Sequence, residues 1–190
     1  ICFALLILLV SALGYWSGKL GSSAIDNSDI RSLRLDAMRG IDRARLNAMT
    51  HLYEYGNVYG SGRRDIDKAK QQHDIKMIDG FVTSAKDRLA RAKALPMPPM
   101  PDAVALIEQS FDYYGQSIEL LQKQRDAAVE GNFVALKHYQ EQMLDELTPV
   151  MRPIFDKTFE VLQAYGEAGT KNYKDTMHEF DLWSLYALIL

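Results

Sequence analysis

The amino-acid sequence predicts an all-α protein, an elongated antiparallel four-helix bundle with up-down-up-down topology. Three observations lead to this fold class. Apolar residues recur at three- and four-residue steps, as in Leu35, Met38, Ile41, Met49 and Leu52, and this spacing is typical of one helix face. The β-branched alternation expected of strands appears nowhere in the sequence. Breaks rich in glycine or proline divide the chain into a few long segments.

Three breaks separate four predicted helices. The first contains Gly56, Gly60 and Gly62, the second is the proline-rich segment 95–101, and the third is Glu130-Gly131-Asn132. The breaks are short, so neighbouring helices should be antiparallel. Helices of about 30 to 45 residues would extend roughly 45 to 70 Å, which predicts a rod. We expect helices at about 20–58, 65–94, 102–130 and 134–181.

Both ends of the chain are apolar. Residues 1–16 carry no charge, and the sequence closes on the apolar segment 182–190. A spanning helix needs about 20 apolar residues, so each end is interpreted as part of a transmembrane helix, with Trp16 and Trp183 at the interface. A cleaved signal peptide is the alternative for the first segment, but residues 12–16 offer no small-x-small cleavage site. The predicted divisions are the end of one transmembrane helix at 1–17, an extramembrane domain at 18–181 and the start of a second transmembrane helix at 182–190.

The composition argues against several classes of protein. A net charge of −3 and a pI of about 5.8 indicate no footprint for nucleic acid. The single cysteine, Cys2, forms no disulfide framework. No Ser-His-Asp spacing, phosphate loop or pair of Glu-x-x-His motifs is present, and Asp175-Thr-Met-His178 is one half of a di-metal motif. We therefore expect no enzyme activity, no metal and no cofactor.

Two prolines lie inside the predicted fourth helix. Pro149 and Pro153 each remove a backbone hydrogen bond, which predicts a bend or local unwinding between Leu147 and Ile154. Irregular backbone frees carbonyl groups and offers a place for a ligand.

Arginines flank the apolar stripe of the first helix. On a helical wheel with Met38 at zero, Leu52 lies within about 40°, whereas Arg39, Arg43 and Thr50 lie near 100°, 140° and 120°. A ligand or a second subunit would contact such a flank, and the alternative is a solvated face. The planar fork of arginine holds a carboxylate bidentately, so a pair one turn apart suits an organic acid.

A third arginine, Arg45, falls nearly on the stripe, at about −20°. An unpaired buried charge is very costly. We therefore expect Arg45 to pair with Asp42 or to extend towards solvent, in preference to ligand contact.

The fourth helix supplies the predicted opposite wall of the site. Around its prolines it offers a hydroxyl, a cation and an aromatic edge, from Thr148, Met151, Arg152 and Phe155. The alternative is packing for Met151 and Phe155 and solvent for Arg152, and Tyr113-Tyr114 is assigned to the core. Aromatic neighbours also suit an aromatic acid, so a dicarboxylate and an aromatic acid both remain open.

Several motifs resemble the periplasmic domain of the bacterial aspartate and serine chemoreceptors. Pro101-Asp-Ala-Val-Ala105 opens a helix, Tyr113-Tyr114 follows, and Glu130-Gly131-Asn132 precedes the last helix. The family shows a Pro-Glu-x-Val-Ala start, an aromatic residue at the position of Tyr114 and a Gly-Asn turn at the same separation. The ending His178-Glu-Phe-Asp-Leu-Trp183 resembles the family's entry into its second span. The resemblance covers residues from about 35 to 190.

The resemblance implies a methyl-accepting chemotaxis protein in the bacterial inner membrane. Its periplasmic four-helix domain would form a homodimer and bind a small organic acid or amino acid at the membrane-distal end of the subunit interface. A small displacement of the last helix would carry the signal to a cytoplasmic signalling region downstream.

The family's ligand residues map only partly onto this chain. Arg39 and Arg43 resemble the first two of three ligand arginines, at a step of four residues where the family has five, and the third falls on Asn47. The family's Pro-Thr pair is replaced by Tyr139-Gln140-Glu141, and Thr148-Pro149 lies later in reversed order. The predicted ligand-binding residues are Arg39, Arg43, Asn47, Thr50, Thr148, Met151, Arg152 and Phe155.

Two other functions fit the same predicted rod. One is the sensory domain of a membrane histidine kinase or cyclase. The other is a membrane-tethered helical scaffold that binds a partner protein and no small molecule.

Overall fold

The computed structural model describes residues 2–60, 67–98 and 100–189, and within these ranges the protein is helical with no strand. The predicted all-α class is confirmed. The elements are α1 at Cys2–Tyr59, α2 at Lys68–Ala94, α3 at Pro101–Val129, α4 at Phe133–Glu141, a π-helical segment at Gln142–Leu147 and α5 at Thr148–Ile189.

The helix ends follow from local chemistry. The side chain of Asp67 accepts hydrogen bonds from the backbone of Ala69 and Lys70 and caps α2; the predicted start at 65 and Gly62 lie outside the described residues. Pro101 begins α3, where its missing N–H costs no helical hydrogen bond. The third predicted break is confirmed: Gly131 has φ 70° between α3 and α4, a conformation that glycine adopts without strain.

The predicted fourth helix is interrupted at a different place from the one expected. Irregular backbone occupies Gln142–Leu147, and the chain is regular α-helix through both Pro149 and Pro153. The predicted position, between Leu147 and Ile154, is therefore wrong, because the irregular segment ends at the residue where the predicted one begins. In a regular helix the ring of Pro149 would collide with the carbonyl four residues earlier, at Asp145, so the backbone widens on the N-terminal side of the proline.

The chain divides into two compact units, and the larger one spans residues 33–159. Each helix contributes one apolar face to its core at three- and four-residue spacing. Among the fully buried side chains are Met38, Ile41 and Leu52 of α1, Ile78 of α2, Ile107, Tyr114 and Leu121 of α3, and Leu136, Met143 and Met151 of the last helical region.

Contacts between α1 and α2 connect the middle of α1 to the end of α2 and the end of α1 to the first turns of α2. Arg34 donates hydrogen bonds of 2.9 Å and 2.7 Å to the carbonyl oxygens of Leu95 and Pro96. Near the opposite ends, the hydroxyl of Tyr59 donates a 2.8 Å hydrogen bond to Asp74. These two helices are therefore antiparallel.

Contacts of the same kind join α3 to the helical segment that follows it, from α4 to α5. Ser110 and Thr158 share a buried hydrogen bond of 2.9 Å, and Gln124 donates one of 3.3 Å to the carbonyl of Tyr139. Because the early residue of α3 contacts the late residue of the other segment, the two segments run in opposite directions.

The smaller unit contains residues 1–32 and 160–190. Arg31 donates a 3.4 Å hydrogen bond to the carbonyl of Gln163 and packs against Gly166. Trp16 is 68% exposed, and the side chain of Trp183 is outside what the structure describes. The described residues include no helix with a stretch long and apolar enough to cross a membrane. The assignment of 1–17 and 182–190 to partial spans stays a prediction.

Candidate functional site

A surface groove of about 500 Å³ lies between α1 and α2. Its α1 wall contains three of the predicted ligand residues, Arg39, Arg43 and Asn47, which lie on one face of the helix. Three of the four predicted ligand residues of the first helix therefore lie in one groove. The full lining is Asp36, Arg39, Gly40, Arg43, Ala44, Asn47, Phe81, Ser84 and Arg88.

The two predicted arginines present their guanidinium groups to solvent. Arg39 has a side chain 68% exposed, with Nη1 4.0 Å from Oδ1 of Asp36 and Cζ 6.0 Å from the ring centroid of Phe159. This last distance is near the outer limit of a cation–π interaction. Arg43 is exposed, and its guanidinium has no hydrogen bond or ion pair within the part of the chain that the structure describes. An anion can reach both groups, although at Arg39 it would compete with the long, exposed ion pair to Asp36.

The opposite wall of the groove comes from α2, which sequence reasoning missed. Arg88 donates a 3.3 Å hydrogen bond from Nε to Oγ of Ser84, and its guanidinium lies against the backbone of Gly40. Phe81 also lines this wall and stacks on His51 with ring centroids 5.3 Å apart. The available sequence signal was the four-residue spacing of Ser84 and Arg88 on one helix face.

The groove is cationic in a chain of net charge −3. Three arginines and one aspartate line it, so its formal charge is positive. Single exposed ion pairs contribute only about 0–1 kcal/mol, and a ligand would need to contact several of these groups together. The arrangement therefore favours an anion with more than one acceptor oxygen.

No protein-family model, curated protein or solved structure matches this chain. The interpretation of the groove consequently depends on its chemistry and on the motif resemblance in the sequence.

Thr50, the fourth predicted residue of α1, lies in a separate and smaller groove. Its Oγ1 donates a 3.0 Å hydrogen bond to the carbonyl of Leu46. This groove has a volume of about 210 Å³ and is mostly apolar. Its lining residues are Leu46, Met49, Thr50, Tyr53, Gln124, Gln140, Met143 and Leu144.

The four predicted residues of the fourth helix do not line the arginine groove. Met151 and Phe155 are buried in the core, which matches the packing alternative. Thr148 Oγ1 donates a 2.6 Å hydrogen bond to the carbonyl of Met143 and helps to close the widened π turn. Arg152 is exposed to solvent. The wall of the groove opposite Arg39 and Arg43 is thus α2, and α5 approaches Arg39 through Phe159, which does not line the groove.

Arg45 behaves as the helical wheel predicts. It is 8% exposed, and its Nη2 and Nε donate to Oδ1 of Asp42 at 2.9 Å and 3.3 Å. The pairing with Asp42 is confirmed, and Arg45 is not among the residues that line the arginine groove.

The π-helical segment adjoins a groove of its own. This groove has a volume of about 500 Å³ and lies between α3 and the last helical region, with Tyr113, Lys123, Gln142 and Glu146 in its lining. Its lining contains both acidic and basic side chains, so it is less suited to bind an anion than the arginine groove is. Over the described residues, no group of three or more His, Cys, Asp or Glu side chains could hold a metal ion.

Proposed function

We propose that this protein is the extracytoplasmic ligand-sensing domain of a chemotaxis transducer, and that it binds a small organic acid or amino acid. The observation that carries the proposal is the shared groove of Arg39, Arg43 and Asn47. Arg39 and Arg43 approximately match two of the ligand arginines of the chemoreceptors that the sequence resembles, and Asn47 stands where the third would fall. Two guanidinium groups one turn apart suit a carboxylate.

The proposed architecture follows from the antiparallel contacts within residues 33–159. Four helical segments form an up-down-up-down bundle, and the first and last continue as transmembrane helices in a bacterial inner membrane, with the domain in the periplasm. Because α1 carries the arginines and also begins at the N-terminal apolar segment, ligand binding acts on an element that leads towards the membrane. A small helix displacement would then pass the signal to a cytoplasmic region downstream.

Binding of a carboxylate should depend on both arginines of α1. We expect Arg39→Ala and Arg43→Ala each to weaken the affinity by about tenfold, because hydrogen bonds to charged groups contribute about 1.5 kcal/mol at the lower end and about 1.4 kcal/mol corresponds to a tenfold change. A thermal-shift screen of organic acids and amino acids identifies the ligand, because binding to the folded state raises the melting temperature. Titration of each variant then measures the affinity.

The matched control is Arg91→Ala, which removes an exposed arginine of α2 that does not line the groove. This variant should bind as the parent does. Carboxylate binding that survives both substitutions on α1 would place the site elsewhere, and a screen without any hit would favour the scaffold function.

The proposed homodimer has a suitable surface on α1. Leu46 and Tyr53 are 55% and 58% exposed, and Leu144, which lines the same small groove, is 49% exposed. Exposed apolar clusters mark interaction sites in soluble domains, and a second copy of this chain would cover them.

A charged side chain in this apolar cluster should separate the subunits. We expect Tyr53→Arg to shift the chain from dimer to monomer in sedimentation velocity, because an unpaired charge would be desolvated in the interface. Val134→Arg is the control, as Val134 is 83% exposed and lies outside the small groove. A Tyr53→Arg chain that remains dimeric would contradict this assignment of the surface.

A further inference from the structure

We propose that Arg88 of α2 is a ligand-binding residue and that the groove binds an aliphatic dicarboxylate between Arg88 and the two arginines of α1. This inference rests on the proposed carboxylate-binding function. It adds a contact from a second helix of the same chain and chooses between the two ligand classes that the sequence leaves open.

The position of Arg88 depends on the absence of a side chain at Gly40. A Cβ added at residue 40 would lie 3.0 Å from both Cδ and Cζ of Arg88 and closer still to Nη1, so the two could not coexist without movement. Glycine inside a helix is unfavourable relative to alanine. Here it opens a space on α1 that the Arg88 guanidinium occupies, which brings a cation of α2 beside Arg39 and Arg43.

The contacts of Arg88 hold its stem and leave its terminal nitrogens available. Nε donates to Oγ of Ser84 at 3.3 Å. Within the described residues, neither Nη1 nor Nη2 has a hydrogen-bond acceptor or a carboxylate partner. The terminal nitrogens of a guanidinium form the edge that binds a carboxylate bidentately. Arg88 therefore resembles a placed donor more than a member of a surface ion pair.

The charges of the lining favour a dianion. Three guanidinium groups face one carboxylate, Asp36, so a single negative charge would leave the groove positive. One carboxylate of the ligand would contact Arg88, and the other would contact Arg39 and Arg43. Phe81 is the only aromatic side chain of the lining, and it already stacks on His51. An aromatic acid would thus find little surface for its ring.

The test compares three anions by calorimetric titration of the full chain at constant ionic strength. Succinate is the dicarboxylate, butyrate is a monocarboxylate of the same carbon number, and benzoate is the aromatic acid. We expect succinate to bind about tenfold more tightly than the other two, because it gains a second charge-assisted contact. Butyrate or benzoate binding as tightly as succinate would overturn the dicarboxylate assignment.

Two variants test Arg88 by different routes. Arg88→Ala removes the cation, whereas Gly40→Ala keeps every charge and displaces the guanidinium with one methyl group. Each should weaken succinate binding about tenfold, and helical circular dichroism should show that both remain folded. The control is Gly80→Ala, because a Cβ at that position of α2 would have nothing within 4 Å, and it should bind as the parent does.

The possible results separate this inference from the proposed function. If Arg39→Ala and Arg43→Ala lose succinate binding while Arg88→Ala and Gly40→Ala retain it, the α1 site stands and the role of Arg88 is overturned. If none of the three anions binds but the wider screen finds another ligand that requires Arg39 and Arg43, the dicarboxylate assignment alone is overturned. If the screen also finds no ligand, or if all four variants bind like the parent, both proposals fail.

Discussion

Replacing Tyr114 by alanine is expected to lower the free energy of unfolding by about 3–5 kcal/mol, the usual cost of deleting a large buried aromatic side chain. Tyr114 of α3 is completely buried. Its ring stacks on Phe155 of α5 with centroids 4.1 Å apart, and its hydroxyl donates a 3.3 Å hydrogen bond to the carbonyl of Met38 on α1. Burial raises the pKa of Tyr114, so the hydroxyl keeps the proton that it donates.

Urea unfolding followed by circular dichroism measures this effect. Tyr114→Phe is the matched variant, since it keeps the ring and removes only the hydroxyl. We expect it to lose about 1 kcal/mol, the typical net contribution of one hydrogen bond. A Tyr114→Ala chain within about 1 kcal/mol of the parent would mean that the surrounding helices close the space without penalty. Because Met38 precedes Arg39, the alanine variant should also bind ligand less tightly.

Replacing Arg34 by methionine should destabilise the protein by about 2–3 kcal/mol, because two carbonyl groups would each lose a hydrogen bond that contributes about 1–1.5 kcal/mol. Arg34 is 1% exposed and donates to the carbonyls of Leu95 and Pro96, just past the end of α2 at Ala94. The end of a helix leaves carbonyl groups without helical partners, and a cation there also interacts favourably with the helix dipole.

The burial of Arg34 has an opposing cost, which limits the predicted loss. No carboxylate pairs with it in the described residues, Nε has no hydrogen-bond partner, and burial lowers the pKa of the guanidinium. Methionine keeps much of the volume and removes the charge, so part of the desolvation penalty is recovered. Arg34→Lys, which retains a cation with a different donor geometry, should fall between the two in urea unfolding. A methionine variant as stable as the parent would contradict the prediction. It would show that the cost of desolvating the Arg34 guanidinium equals the stabilisation from its two hydrogen bonds.

Features that depend on one helix could be predicted from the sequence. The three- and four-residue spacing places Met38 and Leu52 in the core and Arg39 and Arg43 beside it, and the wheel also gives the pairing of Arg45 with Asp42. These outcomes need only the helical period and the cost of an unpaired charge. The arginine wall of the groove could be predicted for the same reason.

Features that depend on the pairing of helices could not be predicted in this way. Both Arg88 and Arg152 lie at positions that the sequence pattern assigns to a polar helix face. Which of them lies near the arginines of α1 depends on which helix packs beside α1, and the pattern of a single helix does not contain this information. Arg34 falls at about −40° on the same wheel, on the apolar stripe with Leu52, so the helical period predicts its burial. Its hydrogen-bond partners, the carbonyls just past the end of α2, depend on how the two helices pack. The misplaced irregular segment is a different case, because a proline ring clashes with the carbonyl four residues earlier, and this local rule applied to Pro149 gives the observed segment.

The exposed position of the arginine groove affects how quickly a ligand can bind and leave. Its cations are already exposed, so a ligand can enter without waiting for a covering segment to move, and attraction by a positive surface can raise association rates to about 10⁸ M⁻¹s⁻¹. At a dissociation constant of about 1 μM, this association rate gives a residence time of about 10 ms. Occupancy of such a groove would follow a change in the surrounding ligand concentration within tens of milliseconds, which is fast enough for the proposed sensing function.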